Sequence, residues 1–117
     1  AWQLAQRKIK VRLFEMRPQM KTGAHHTDRL AELVCSNSLG SYDEKNASAL
    51  LKEEMRRLGS LIIESAWKAK VPAGGALAVD REIFAELITE ALAKNPYIEI
   101  CREELTSIPE EGICIVA

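Results

Sequence analysis

The chain has 117 residues, 47% of them hydrophobic and 28% charged. That suits one globular unit with a modest core and is too short for separate substrate and cofactor lobes. A formal net charge of −1 leaves no overall basic field, so nucleic-acid binding through this segment alone is not expected. The three cysteines, Cys35, Cys101 and Cys114, form no CxxC pair, and no apolar run is long enough for a signal peptide or a membrane span. Reduced thiols in a cytoplasmic protein with no membrane partner are the simplest reading.

Trp2, Leu4 and Ala5 against Gln6, Arg7 and Lys8 predict the last turns of a helix. Ile9 to Met16 alternates as a strand with one partly exposed face, and Pro18 ends it. Residues 17–45 are rich in Gly, His, Thr, Ser and Asn and predict a long loop with at most one helical turn over 29–34, a length that is usually functional or disordered. From Asn46, a plausible N-cap, one helix is expected, with the stripe Ala47, Leu50, Leu51, Met55, Leu58, Leu61, Ile62 and Ala66, stopped by Val71-Pro72. Asp80 caps a second helix that ends before Asn95-Pro96. Two strands are expected to follow, Tyr97 to Ile108 and Ile113 to Ala117, joined by a turn at Pro109 to Gly112. Trp2 and Trp67 fall on apolar helical faces and read as core.

Glu15 ends a strand that follows a helix, where a dinucleotide-binding unit places a carboxylate to accept hydrogen bonds from the vicinal ribose hydroxyls. A merely solvated strand-end Glu is the alternative. Cys35, in Ala31-Glu32-Leu33-Val34-Cys35-Ser36-Asn37-Ser38-Leu39, has three small polar neighbours that could favour an accessible thiolate. The alternative is an inert thiol packed by Leu33 and Leu39. His25, His26, Asp28 and Cys35 match no zinc spacing, so no metal is expected. Ala73 to Arg81 reads as a Gly-containing loop entering a helix N-terminus, and Glu53, Glu54, Arg56 and Arg57 as a solvated face of ion pairs.

Taken together, FEMRP (14–18), AHHTDRLAELVCSNSLGS (24–41), LLKEEMRRLGSLI (50–62) and VPAGGALAVDRE (71–82) resemble the folate-dependent tRNA (uracil-5-)-methyltransferase family. The resemblance covers essentially the whole chain. Related flavoproteins that install carboxymethylaminomethyl groups on wobble uridines share the flavin domain but differ in the Cys-containing loop. The resemblance implies an α/β fold, a partial Rossmann-like FAD-binding domain of the glutathione-reductase type. Residues 1–16 and 97–117 would be its Rossmann elements, and 17–96 a long loop and helical insertion. It implies FAD, methylenetetrahydrofolate as carbon donor, NADH or NADPH as reductant, and tRNA as substrate. On that resemblance Glu15 is the ribose ligand, with Met16 and Arg17 beside it. Leu105 meets adenine through its backbone, and Cys35 is the catalytic thiol. The chain then reads as an internal piece of a longer enzyme, with a Gly-rich turn expected upstream; a free-standing α/β module is the competing reading.

Overall fold

The structure, a computed structural model, describes residues 1–116. Its elements in chain order are α1 (Trp2–Ala5), β1 (Val11–Phe14), β2 (Ser38–Ser41), α2 (Ala47–Arg57), α3 (Leu61–Lys68), β3 (Lys70–Val71), β4 (Ala76–Val79), α4 (Arg81–Ala93) and β5 (Ile98–Cys101). β1 and β5 pair in parallel from Val11↔Ile98 to Phe14↔Cys101. β2, β4 and β3 form a separate antiparallel sheet with β4 in the middle.

The core lies where α4 and α3 cover β4. Phe84, Leu77, Ile88 and Val79 are the largest fully buried side chains, joined by Ala66, Ala69, Leu92 and Ile98. Each large apolar side chain so buried contributes about 1.5–3 kcal/mol. The start of α4 is the one the sequence predicts: Asp80 Oδ1 accepts from the amides of Glu82 (2.9 Å) and Ile83 (3.0 Å), two donors the helix cannot satisfy itself.

The expected single helix from Asn46 is two helices. Gly59, at φ +72°, closes α2 with the amide of Ser60 donating to Met55 O (3.0 Å) and that of Gly59 to Arg56 O (2.9 Å). This is a Schellman ending, which needs a left-handed residue that only glycine adopts cheaply. Ser60 then caps α3 by accepting from the Ile63 amide. Across the break, Trp2 Nε1 donates to Gly59 O, and Gln3 Nε2 to Leu58 O and Gly59 O, so α1 caps α2 from outside.

Of the predicted apolar stripe, Ala66 is buried and Leu61 packs on the core, but the α2 part is not the buried face. Leu50, Leu51 and Leu58 are exposed, and the buried residue of α2 is Lys52. Its ammonium donates to Ser41 O (2.9 Å), Ser48 O (3.1 Å) and Ser48 Oγ (2.6 Å), which satisfies all three protons and ties α2 to β2. Trp67 is also not core. On α3 the buried positions are Ile63, Ser65 and Ala66, with Ala69 buried just past its end, and Trp67 points away from them onto Tyr42 and Lys70.

Two strands stand where loops were expected. β2 has little strand propensity, but β4 offers its edge, and the register slips between Ser38↔Ala78 and Ser41↔Ala76. Gly40 sits at this bulge with φ +82°, and a Cβ there would lie 3.2 Å from Ser48 Oγ. Ala73 to Arg81 is a hairpin end and a buried strand, not a loop entering a helix: Ala76-Leu77-Ala78-Val79 is a short apolar run that fills the sheet centre. In the opposite sense, β5 stops at Cys101 instead of Ile108, and no strand forms over 113–116, where Ile113, Ile115 and Val116 are exposed. Their alternation encodes an apolar side, yet no described strand lies alongside to supply a ladder. Residue 117 of that expected strand lies outside the described residues.

Candidate functional site

The β1–β5 ladder continues one step past Phe14, with the Glu15 amide donating to Cys101 O (2.9 Å). Glu15 therefore stands at the carboxyl end of a parallel pair, the position where open α/β sheets take nucleotide ligands. Its carboxylate is gripped by Arg17. Oε1 accepts from the Arg17 amide (3.0 Å) and Nε (2.9 Å), and Oε2 accepts from Nη2 (2.8 Å). A carboxylate has about four acceptor directions. These bonds use three of them and leave one on Oε2, fewer than a bidentate capture of two vicinal hydroxyls needs.

Arg17 itself is buried, with 5% of its side chain exposed. Its Nη1 reaches Glu32 Oε2 (2.7 Å) and Thr27 O (3.3 Å). Glu32 Oε1 in turn accepts from the amides of His26 (3.0 Å) and Thr27 (3.2 Å). Arg102 closes the loop from the far strand, donating to Arg17 O (3.2 Å) and Asp28 O (2.6 Å). One guanidinium thus joins two carboxylates and a turn, leaving none of the three charges unpaired.

Arg17's side-chain hydrogen bonds, opposed by burial and aided by its amide and charge, push the Glu15 carboxyl down to about 2. Burial works against the Glu32 carboxylate too. The His26 and Thr27 amides and Arg17 outweigh it and hold Glu32 below its ordinary value. Because unfolded Glu15 takes its proton near 4.5 and folded Glu15 near 2, the unfolded chain binds more protons between them. The stability from this pair is complete above the upper value and is lost as pH falls toward the lower. After solvent screening about 1–2 kcal/mol should be at stake. Urea unfolding of the chain and of Glu15→Gln from pH 6 to pH 2 checks it: the gap between them should close on acidification, and a pH-independent gap would remove the ion pair as its source.

Cys35 is exposed, so it is not the packed thiol of the alternative reading. The segment around it is pinned on several sides. Arg81 Nη2 donates to Cys35 O (2.8 Å), Asn37 exchanges two hydrogen bonds with Val79, and the Leu30 amide donates to Thr89 Oγ1 (2.9 Å). The polar neighbours serve the backbone and not the thiol. Ser36 Oγ accepts from the Ser38 amide, Ser38 Oγ from the Gly40 amide, and the Asn37 side chain donates to Val79 O.

Met16 is half-buried beside Glu15 and its carbonyl accepts from the Met20 amide. Leu105 is exposed in the irregular segment after β5, and among the described residues it makes no hydrogen bond that ties it to Glu15. The structure thus joins Glu15 with Arg17, and links them to the Cys35 segment through Glu32. Glu32 and Arg102 escaped the sequence reading; the only hint was an acidic residue inside the otherwise apolar run Leu30 to Val34. Among the described residues no group of three His, Cys, Asp or Glu could hold a metal, and no helix is long and apolar enough to cross a membrane.

Over residues 1–117 the sequence matches the family described as glucose inhibited division protein A. The chain belongs to that family. Its fold is accordingly the α/β one expected, part of a Rossmann-like domain, with β1 and β5 as the parallel pair. This member of the glucose inhibited division protein A family is 63% identical over 117 residues to the methylenetetrahydrofolate–tRNA-(uracil-5-)-methyltransferase TrmFO of Desulforamulus reducens. It is 59% identical to the protein of that name from Pelotomaculum thermopropionicum and 58% to that from Citrifermentans bemidjiense. All of this chain is covered in each case, but only 26% of the first and 27% of the other two. The chain spans about a quarter of the length of these relatives.

Proposed function

We propose that this chain is the part of an FAD- and folate-dependent tRNA (uracil-5-)-methyltransferase that holds the adenosine end of the flavin and carries a catalytic thiol. The observation that carries this is the unbroken similarity of all 117 residues to proteins bearing that name. The donor set suits the group: a carboxylate with one free acceptor direction at the carboxyl end of a parallel pair fits a ribose hydroxyl. When bound, FAD reduced by NADH or NADPH supplies the electrons that turn a methylene group from methylenetetrahydrofolate into a methyl group.

In this reading Glu15 accepts from the ribose, and Arg17 keeps that carboxylate ionised and oriented. Met16 and the Leu105 backbone flank the adenosine. Cys35 acts at carbon 5 of a T-loop uridine, as nucleophile or in the proton transfer that ends the reaction. tRNA and folate are the partners, and the cytoplasm the site of work. The test uses the full-length protein with tRNA, methylene-labelled methylenetetrahydrofolate and NADH or NADPH. Label should appear at carbon 5 of a T-loop uridine. Label absent from tRNA, or modification of a wobble uridine instead, overturns the reading.

Glu15→Ala should weaken FAD binding about ten- to a hundredfold, since a hydrogen bond to a charged group is worth about 1.5–3 kcal/mol. Turnover at saturating FAD should change little, because a ribose contact carries no developing charge. Equilibrium dialysis of the full-length variant measures it, and an unchanged dissociation constant would make Glu15 a structural partner of Arg17 only.

A further inference from the structure

Between Glu15 and Cys35 the chain runs through an irregular stretch that makes no regular ladder of its own up to β2. Its order comes from side chains. The turn at His26 and Thr27 closes on Glu32 Oε1, and Glu32 Oε2 closes on Arg17 Nη1 at 2.7 Å. Glu32 stands three residues before Cys35, in a segment whose other end is fixed by Asn37 on Val79 and by Arg81 on Cys35 O. The opposite edge of the same guanidinium holds Glu15 through Nε and Nη2. A lysine could reach one of these carboxylates but not span both, because its ammonium lacks the planar fork.

We propose that Arg17 is a positioning residue, a two-sided clamp that fixes the ribose-facing carboxylate Glu15 and, through Glu32, the backbone that presents Cys35. This rests on the reading of Cys35 as the working thiol. The clamp makes the place of the thiol depend on the same group that orients the nucleotide carboxylate. Loosening the Arg17–Glu32 side should therefore be felt at Cys35 without loss of the fold, whose core lies elsewhere, around Phe84, Leu77 and Ile88.

The test compares wild type, Arg17→Lys and Glu32→Gln in the full-length protein. The readouts are peptide-resolved iodoacetamide labelling of Cys35 and Cys101, amide hydrogen exchange over residues 26–35, and tRNA methylation kinetics. In both variants Cys35 should label about threefold faster or more, and amides 26–35 should exchange about tenfold faster. Half-buried Cys101 at the end of β5 should label at its wild-type rate. kcat should fall about tenfold while KM for tRNA holds. Unchanged Cys35 labelling and exchange in Glu32→Gln overturn the clamp. So does Cys101 labelling that rises in step with Cys35, which would mean general loosening. If Cys35→Ala methylates normally, the thiol reading fails, and the labelling and exchange arms still decide whether Arg17 positions the segment.

Discussion

Cys35→Ala in the full-length protein is expected to keep FAD and fold but to lose nearly all tRNA methylation, a drop of about a thousandfold or more. Cys101→Ala and Cys114→Ala should keep most of it. The exposed thiol sits in a segment held from both ends by Arg17 through Glu32, by Val79 and by Arg81, so its removal deletes the thiol and leaves the scaffold intact. Cys101 is half-buried within the β1–β5 ladder and Cys114 lies in an irregular, exposed stretch. Accessibility does not separate Cys35 from Cys114, so activity decides, measured with radiolabelled folate on tRNA. A rate within a few-fold of wild type, about 1 kcal/mol in barrier, would return Cys35 to the status of an ordinary surface thiol.

The largest stability effect outside the hydrophobic core is expected at Arg17. Arg17→Met keeps much of the buried stem but leaves the carboxylates of Glu15 and Glu32, 17% and 11% exposed, without their shared cation. Removing one partner of a buried pair costs about 3–5 kcal/mol, because the remaining charge is stranded, not because the pair itself was worth so much. Here two charges are stranded together. Urea unfolding of the chain at pH 7 measures the loss. Adding Glu15→Gln and Glu32→Gln to Arg17→Met should recover a good part of it, since neutral amides are cheaper to bury than facing carboxylates. A cost under about 1 kcal/mol would show a screened surface pair instead.

What could be read from the residues was mostly local. The Asp80 cap, the helix it starts and the first strand follow from short-range rules and stand as expected. The strand β2 could not be read, because Ser38-Leu39-Gly40-Ser41 owes its conformation to the edge of β4 and to Lys52, not to propensity. The split of α2 from α3 lies in Gly59-Ser60, while the periodic leucines Leu50, Leu51 and Leu58, which face solvent, suggest one unbroken helix. At the site, Glu15 and Cys35 were visible as residue types in suggestive places. The clamp between them was not, because Arg17, Glu32 and Arg102 meet only once the chain has folded back on itself.

The parallel pairing of β1 with β5 also bears on the order in which the chain folds. Arg102 and Arg17, just beyond the paired strands, are 85 positions apart. The α2–α3 turn and the β3–β4 hairpin, by contrast, close over a handful of residues. Local contacts form before the entropy of a long closure is recovered. The β3–β4 hairpin and the helices α3 and α4 are therefore placed to form first, with the β1–β5 ladder closing afterwards. The Glu15–Arg17–Glu32 cluster, which draws Arg102 from beyond β5, would then be completed among the last parts of the fold and be among the first to open.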